Sequence, residues 1–191
     1  SATVLFTDII VQDYNSYYTT GSASDSEFDV DGQLTSAINQ ITTDVSKKIY
    51  YTTGHGETTL STSLSDELEK SSVTTEELNL LMVEEIPSDC DLILIDAPTS
   101  DISEQEETML LNYMSEGGKV IYVMGDASTE TPNLNAFMEQ YGMTKTDGYI
   151  ADMQRCYQGN YYYIFPEISA SGDLGDGLES DMVLLVNSAG F

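Results

Sequence analysis

The sequence predicts an α/β protein with a doubly wound, mostly parallel sheet of the flavodoxin-like type. Apolar runs about as long as buried strands recur along the chain, and amphipathic helix patterns lie between them. The clearest unit runs from Asp89 to Asp126, where the apolar runs Leu92–Ile95 and Val120–Met124 flank a helix pattern. A strand, a helix and a strand in this order form a βαβ unit, so we expect the two strands to be parallel.

The helix of this unit carries start and stop signals of its own. Ser103 can cap the first turn, and Glu106, three residues later, completes a capping box. Gly117 and Gly118 can adopt the left-handed turn that ends a helix. The apolar face is predicted to consist of Met109, Leu110, Tyr113 and Met114.

The chain before this unit reads as a lead-in followed by two more strands. We expect a strand at Val4–Val11, a loop at Gln12–Glu27 and a helix that Asp31 caps, with Lys47 and Lys48 at its C-terminal end. The apolar face of that helix is Leu34, Ile38, Ile41 and Val45.

Next along the chain, strands are predicted at Ile49–Thr53 and Thr75–Val83, on either side of a second amphipathic helix. The core-facing residues of that helix should be Leu60, Leu64 and Leu68.

After Asp126 the sequence predicts a helix at Asn133–Tyr141, ended by Gly142, and then irregular structure. Val183–Val186 is predicted to be the last core strand. Loop tyrosines, which form contact surfaces or pack over an edge of the core, cluster at Tyr14, Tyr17, Tyr18, Tyr157, Tyr161, Tyr162 and Tyr163. We therefore expect one domain over residues 1–191, with a lead-in at 1–46, a core at 47–150 and an irregular tail at 151–191.

The charge of the chain excludes several classes of partner. The 191 residues include 33 acidic and 6 basic side chains, for a formal net charge of −27. Such a surface repels phosphate backbones and anionic lipids, so nucleic acid is not expected as a partner. Both ends of the chain lie close to apolar strand patterns, and we expect the domain to be part of a longer protein.

A candidate site follows from the predicted topology. In a doubly wound sheet, ligands bind beyond the carboxyl ends of the strands, where the winding direction reverses. For a flavodoxin-like order, that point lies between the strands at 49–53 and 92–96. The loops that leave this end of the sheet contain the candidate ligand-binding residues Gly54, His55, Gly56, Glu57, Thr99, Ser100 and Asp126.

Catalytic and metal-binding signatures are not found in the sequence. His55 is the single histidine, no nucleophile elbow or phosphate-binding loop occurs, and Cys90 lies at the wrong end of its strand for a thiol nucleophile. We therefore expect no catalytic residues, no metal site and no cofactor. Two other interpretations of the GHGE loop stay open: a tight turn without a ligand, and a hydrolase or transferase site in which His55 acts with Glu57 or Asp126.

Four segments carry a resemblance to a known family: FDVDGQLTSAINQIT at 28–42, IYYTTGHGE at 49–57, DLILIDAPTSDISEQE at 91–106 and LLNYMSEGGKVIYVMGD at 110–126. Their order and spacing resemble the extracytoplasmic domain of auxiliary proteins of ABC-type transport systems, the group that includes the gliding-motility-associated ABC transporter component. The resemblance implies a sheet similar to that of class I glutamine-amidotransferase-like three-layer sandwiches, without their cysteine nucleophile.

The resemblance also implies a function and a location. The domain would be a non-catalytic binding or scaffold module on the extracytoplasmic face of the bacterial membrane, anchored by flanking transmembrane helices. It would work beside the permease and ATPase subunits of an ABC system and could engage a solute or polymer. The alternatives are the hydrolase or transferase described above and a purely structural spacer.

Overall fold

A four-stranded, all-parallel sheet forms the centre of the molecule. The computed structural model describes residues 4, 9–13, 24–28, 30–42, 47–167 and 183–191. The strands of the central sheet are β3 (Lys47–Thr52), β4 (Val73–Leu78), β5 (Leu92–Asp96) and β6 (Val120–Val123). They are arranged in the order β4-β3-β5-β6, and each neighbouring pair is parallel.

This order confirms the flavodoxin-like topology and the predicted reversal point. The chain moves outward from β3 to β4 and then outward on the other side from β5 to β6, so the direction reverses between β3 and β5. Right-handed crossovers then require the two connecting helices to lie on opposite faces of the sheet. These helices are α2 (Thr62–Lys70) and α3 (Glu104–Ser115), and they make the fold a three-layer α/β sandwich.

The main core lies between the sheet and the face that carries α3 and α4 (Pro132–Glu139). Alternate residues of β3 and β5 point to this side, because successive side chains of a strand point to opposite faces. The register pairs Tyr50 with Ile93, so both strands present the same alternate set to the helices. The buried cluster comprises Tyr50, Leu78, Leu80, Ile93, Ile95, Ile102, Met109, Leu110, Leu134, Phe137 and Met138.

Helix α3 has both of its predicted ends. The Ser103 hydroxyl accepts a hydrogen bond from the backbone N–H of Glu106, and the Glu106 carboxylate accepts one from the backbone N–H of Ser103. These two bonds form the capping box. Gly117 follows the C-cap with φ +94°, the left-handed conformation that glycine adopts without strain.

The prediction that Leu64 lies in the core is wrong. Helix α2 has no buried residue, and Leu64 is 44% exposed. Leu60 precedes the helix, which begins at Thr62. Of the central strands, α2 packs mainly against β4, the edge strand of the sheet, and an edge position leaves part of its apolar face open to solvent.

The lead-in differs from the prediction in several bounds. A small antiparallel sheet pairs β1 (Ile10–Asp13) with β2 (Ser24–Phe28), so the predicted loop at Gln12–Glu27 has strand residues at both ends. Helix α1 runs over Val30–Thr42, which places Asp31 inside the first turn instead of at the cap. Lys47 and Lys48 begin β3 and do not end the helix. Residues 1–3, 5–8 and 43–46, including Val45, lie outside the described residues, as do Tyr14, Tyr17 and Tyr18.

Two later strand predictions also need correction. Strand β4 ends at Leu78, and Leu80–Met82 form a short 3-10 helix in place of further strand. Val183–Val186 does not join the central sheet. Instead β7 (Cys156–Tyr157), β8 (Asn160–Ile164) and β9 (Leu185–Val186) form a separate antiparallel sheet, and Val183, Leu184 and Val186 are more than 40% exposed.

Three of the tyrosines on or beside this small sheet are exposed. Tyr157, Tyr161 and Tyr162 are each more than 40% exposed. Their exposure fits a contact surface better than packing over an edge of the core. The ring of Tyr162 contacts that of Tyr149 edge to face.

Among the residues that the structure describes, none of the helices combines the length and the apolar character that crossing a bilayer requires.

Candidate functional site: a buried histidine at the reversal point

The loops after β3 and β5 meet at the carboxyl end of the sheet, as the topology predicts. The backbone carbonyl oxygen of His55 accepts hydrogen bonds from the backbone N–H groups of Thr99 (2.9 Å) and Ser100 (3.0 Å). It also accepts from the hydroxyl groups of Thr99 and Ser100, each at 3.2 Å. The backbone N–H of Thr58 donates to the carbonyl of Asp96 at 2.8 Å. The GHGE and APTS loops are therefore bonded directly to each other.

The two glycines beside His55 allow this close approach. Gly54 and Gly56 have φ values of +115° and +74°, which L side chains rarely adopt. A Cβ atom on Gly56 would also overlap the Thr99 hydroxyl group. Glycine at this position thus lets the two loops touch, and a larger residue would separate them.

The His55 side chain is buried between two carboxylates. The residue is 6% exposed, its Nδ1 atom lies 3.5 Å from Oε1 of Glu57, and its Nε2 atom lies 3.3 Å from Oε2 of Glu106. The second oxygen of Glu57 accepts a hydrogen bond from the backbone N–H of His55 at 2.7 Å. We call His55, Glu57 and Glu106 the His55 cluster.

Glu106 joins the His55 cluster to the start of α3. It is 1% exposed, and its Oε2 atom accepts hydrogen bonds from the backbone N–H and the hydroxyl group of Ser103, both at 2.8 Å. Its Oε1 atom is buried without a hydrogen-bond partner among the described residues. The carboxylate also lies in the first turn of α3, where the helix dipole stabilises negative charge.

The protons available to the His55 cluster limit its hydrogen bonds. A neutral imidazole has one N–H, so it can donate to Glu57 or to Glu106 but not to both, whereas an imidazolium donates to both. The two contacts are therefore attractive together only when both ring nitrogens carry a proton or one carboxylate is protonated. Because all three side chains are buried, the contacts of the ring with the two carboxylates hold the GHGE loop against the start of α3.

The arrangement lacks the contacts of a nucleophilic site. A nucleophile must lie within hydrogen-bond reach of its base. In the described part of the chain no serine, threonine or cysteine side chain bonds to the ring of His55: the hydroxyl of Ser103 donates to Glu106, and those of Thr99 and Ser100 donate to a backbone carbonyl. Within the same residues, no group of three histidine, cysteine or acidic side chains is arranged to hold a metal ion.

The remaining predicted residue, Asp126, lies on a neighbouring loop but is not joined to the His55 cluster. Its exposed carboxylate accepts hydrogen bonds from the backbone N–H and hydroxyl of Ser128 and from the hydroxyl of Tyr149. The bonds from Ser128 lower the pKa of Asp126. Gly125, beside it, packs close to the backbone of Ala97 and Pro98. The loops therefore meet as predicted, while the Asp126 side chain points elsewhere.

The APTS loop also anchors α4. Asp101, at the end of this loop, accepts hydrogen bonds from the backbone N–H groups of Asn133 (2.8 Å) and Leu134 (3.1 Å), at the start of that helix. The side-chain amide of Asn133 donates to the carbonyl of Ile102 at 2.6 Å. One loop after β5 thus ties β3, α3 and α4 to the same end of the sheet.

Both cysteines are free thiols, and neither lies in the His55 cluster. Cys90 precedes β5, so it is at the opposite end of that strand from the APTS loop. Burial raises its pKa, and its sulfur lies 3.5 Å from the hydroxyl of Tyr113. These surroundings fit a small, partly buried core residue.

The fold and the reversal point define a three-layer α/β domain whose carboxyl-end crevice is occupied by its own side chains. The comparison with family models identifies the family: the model described as "ABC-type uncharacterized transport system" matches residues 46–161. The chain belongs to this family, which confirms that part of the resemblance. The match includes the central sheet, the His55 cluster and the whole of α3.

Comparison with solved structures supports the fold. The structure titled "mmIFT52 N-terminal domain" is similar with a TM-score of 0.57 and 16% sequence identity, over 74% of this chain and 66% of that one. At this identity the similarity concerns the fold alone. The comparison with curated proteins gives no match.

Proposed function

We propose that this domain is a non-catalytic extracytoplasmic binding or scaffold module of an ABC-type transport system, of the kind found in the gliding-motility-associated component. Its partners in this proposal are the permease and ATPase subunits, and transmembrane helices outside the given sequence anchor it. Family membership supports the association with transport. The ratio of 33 acidic to 6 basic side chains supports a location outside the cytoplasm, because segments retained inside are enriched in lysine and arginine.

The bonding of the His55 carbonyl carries the non-catalytic part of the proposal. Four hydrogen bonds converge on this one oxygen, and the ring behind it contacts two carboxylates that are themselves buried. Groups that a catalytic site would aim at a substrate are here used within the protein. A framework that holds β3, β5 and α3 in fixed positions suits a module that presents a surface to other proteins.

The proposal includes binding of a solute or polymer at the exposed residues around His55. Gly54, Gly56, Thr99 and Ser100 are exposed around the buried ring. The hydroxyl protons of Thr99 and Ser100 are used inward, so their oxygen atoms can accept hydrogen bonds from a ligand outside. We propose this rim, together with the neighbouring Asp126 loop, as the contact surface for a solute or polymer, with the buried side chains of His55 and Glu57 supporting it from behind.

The experiment that tests the proposal uses the full-length protein in its own membrane. Protease added to intact spheroplasts should cleave the domain, and the ATPase and permease should copurify with the full-length protein after mild detergent extraction. Protection of the domain until the membrane is permeabilised would contradict the extracytoplasmic location. Absence of both subunits from the purified complex would contradict the scaffold role.

A second arm addresses catalysis. The purified domain should not turn over chromogenic esters, phosphate esters or glycosides above the rate of its Glu57→Gln variant. A turnover that the wild type shows and the variant loses would contradict the non-catalytic assignment and favour the hydrolase alternative.

A further inference from the structure

A groove of about 480 Å³ lies along the side of α3, from Gln105 in its first turn to Glu116 at its C-cap. None of the residues of the GHGE and APTS loops lines it. Its two walls are the segment Glu84–Ile86, which leads from the 3-10 helix towards β5, and the outer flank of α3. The lining residues are Glu84, Glu85, Ile86, Gln105, Thr108, Met109, Asn112, Tyr113, Ser115 and Glu116.

Three of the lining residues are apolar or aromatic and are held by the core. Met109 belongs to the buried core cluster, and Ile86 and Tyr113 pack against that cluster. The hydroxyl of Tyr113 is held near the sulfur and the carbonyl oxygen of Cys90, at 3.5 and 3.4 Å. Side chains held in this way can bury the aliphatic part of a partner's side chain without first having to become ordered.

The rim of the groove is acidic, and its charges are unpaired. Glu84 and Glu85 stand on one wall and Glu116 on the other. In the part of the chain that the structure describes, none of these three carboxylates has an ion-pair or hydrogen-bond partner. Each of them therefore remains available to a cation from outside.

The end of α3 adds a second source of negative potential. The helix has no basic residue in its last turn, and Glu116 occupies the C-cap. Carbonyl groups at a helix C-terminus carry partial negative charge, so a glutamate there is unfavourable and a cation is stabilised. The whole chain has 6 basic residues against 33 acidic ones, and none of the 6 basic residues lines this groove.

We propose that this groove binds a segment of a partner protein that carries lysine or arginine side chains. Their aliphatic stems would lie on Ile86, Met109 and Tyr113, and their charged groups would meet the rim carboxylates, with a cation over the Tyr113 ring gaining further attraction. The side-chain amides of Gln105 and Asn112 can pair with the segment's backbone. A second copy of this chain does not fit, because two surfaces of net charge −27 repel each other. The inference goes beyond the proposed function, since it holds whichever protein carries the segment.

The probe is a displayed library of random 12-residue peptides, selected on the wild-type domain and counter-selected on the triple variant Glu84→Gln, Glu85→Gln, Glu116→Gln. The selected peptides should carry lysine or arginine at spaced positions with apolar residues between them. A synthetic copy of the best peptide should bind the triple variant about tenfold more weakly than the wild type, the effect of losing three exposed ion pairs. Failure to recover peptides, or recovery without enrichment of cationic residues, would overturn the proposal.

A matched control separates the groove from the overall negative charge. The variant Glu69→Gln, Glu130→Gln, Glu139→Gln changes the net charge by the same amount at exposed sites outside the groove, and it should bind the peptide within twofold of the wild type. Equal weakening in both triple variants would show general charge attraction and overturn the proposal. Saturable binding of spermine to the groove without any peptide binding would replace the protein segment with a free polyamine and overturn it too.

A filling variant tests the groove from the opposite direction. Asn112→Arg places a cation in the groove one turn before Glu116, where the two side chains can pair along the helix. It should weaken peptide binding at least tenfold while leaving the melting temperature equal to or above that of the wild type. Unchanged peptide affinity in a folded Asn112→Arg variant would contradict the assignment of the groove.

Discussion

Replacement of His55 by alanine tests whether the His55 cluster is a structural junction. The ring lies between Glu57 and Glu106, whose side chains are 3% and 2% exposed. His55→Ala leaves two buried carboxylates facing a cavity, with no group between them that can donate a hydrogen bond or carry a positive charge. Leaving a buried carboxylate without its partner costs about 3–5 kcal/mol. For a chain of this size, such a loss lowers the melting temperature by roughly 6–20 °C.

The assay is thermal and urea unfolding followed by far-ultraviolet circular dichroism, because the chain has no tryptophan for fluorescence. The matched variant is Glu106→Gln, which keeps a capping-box residue at the start of α3 but removes the charge. In the His55→Ala background, Glu106→Gln should recover part of the lost stability, because it removes the uncompensated carboxylate. We expect a coupling energy of about 1 kcal/mol or more in the double-mutant cycle.

Two results would refute this reasoning. The first is a His55→Ala melting temperature within about 2 °C of the wild type, which would mean that the ring does not stabilise the loops. The second is additivity of the two substitutions within about 0.5 kcal/mol, which would mean that His55 and Glu106 do not interact in solution.

Three further predictions concern other parts of the molecule. Leu110→Ala, at a fully buried position, should lower the free energy of unfolding in urea by about 2–5 kcal/mol. Leu64→Ala, at a position 44% exposed, should lower it by less than about 1 kcal/mol. Similar losses would contradict the difference in burial between the two leucines. Asp91 pairs with Lys47, which lowers its pKa, so its stabilising contribution is present at neutral pH and is lost as the pH falls below the ordinary aspartate range. Asp91→Asn should therefore reduce the urea midpoint at pH 7 more than at pH 3, and an equal reduction at both would contradict this sign. Ellman's reagent should titrate two thiols in the unreduced, unfolded protein, with Cys90 slow to react in the native state; finding none would mean that Cys90 and Cys156 are bridged.

Much of the fold was predictable because its signals are local. The apolar run Leu92–Ile95 is short and rich in residues that favour strands, the capping box of α3 spans the four residues from Ser103 to Glu106, and Gly117 directly follows the C-cap. Parallel pairing then follows from the strand–helix–strand connections, and the reversal point follows once a flavodoxin-like strand order is assumed. The strand and the helix ends needed only neighbours along the chain.

The incorrect parts depend on what covers an apolar face. The four-residue spacing of Leu64 and Leu68 shows that one side of α2 is apolar, but the same pattern occurs on a helix that packs loosely at an edge strand. Val183–Val186 has the composition of a core strand and instead forms part of a small sheet whose residues are largely exposed. Periodicity identifies the side that prefers burial, whereas the extent of burial depends on tertiary packing.

The loops of the candidate site are predictable from the sequence, whereas the contact between His55 and Glu106 was not predicted. Glu106 was recognised as a capping residue, and its carboxylate turned out to serve the cap and the histidine together. A signal for this was present: α3 begins directly after the APTS loop, so its first turn must lie at the same edge of the sheet as the GHGE loop. Asp126 also lies at this edge of the sheet, but its carboxylate does not contact His55, because it accepts hydrogen bonds from the backbone N–H and hydroxyl of its neighbour Ser128.

The two ends of α3 differ in their contacts: the N-terminal end is bonded to the sheet, and the C-terminal end is exposed and acidic. In doubly wound proteins the crevice at the reversal point holds a ligand because the loops on either side of it diverge. Here the APTS and GHGE loops converge instead, and the side chain of His55 together with the cap of α3 fills the crevice. The N-terminal end of α3 is thus fixed to the sheet by buried bonds, while its C-terminal end carries the unpaired Glu116 beside an acidic groove. In the proposed scaffold, a helix anchored at one end and charged at the other would hold the basic segment at a defined place relative to the sheet.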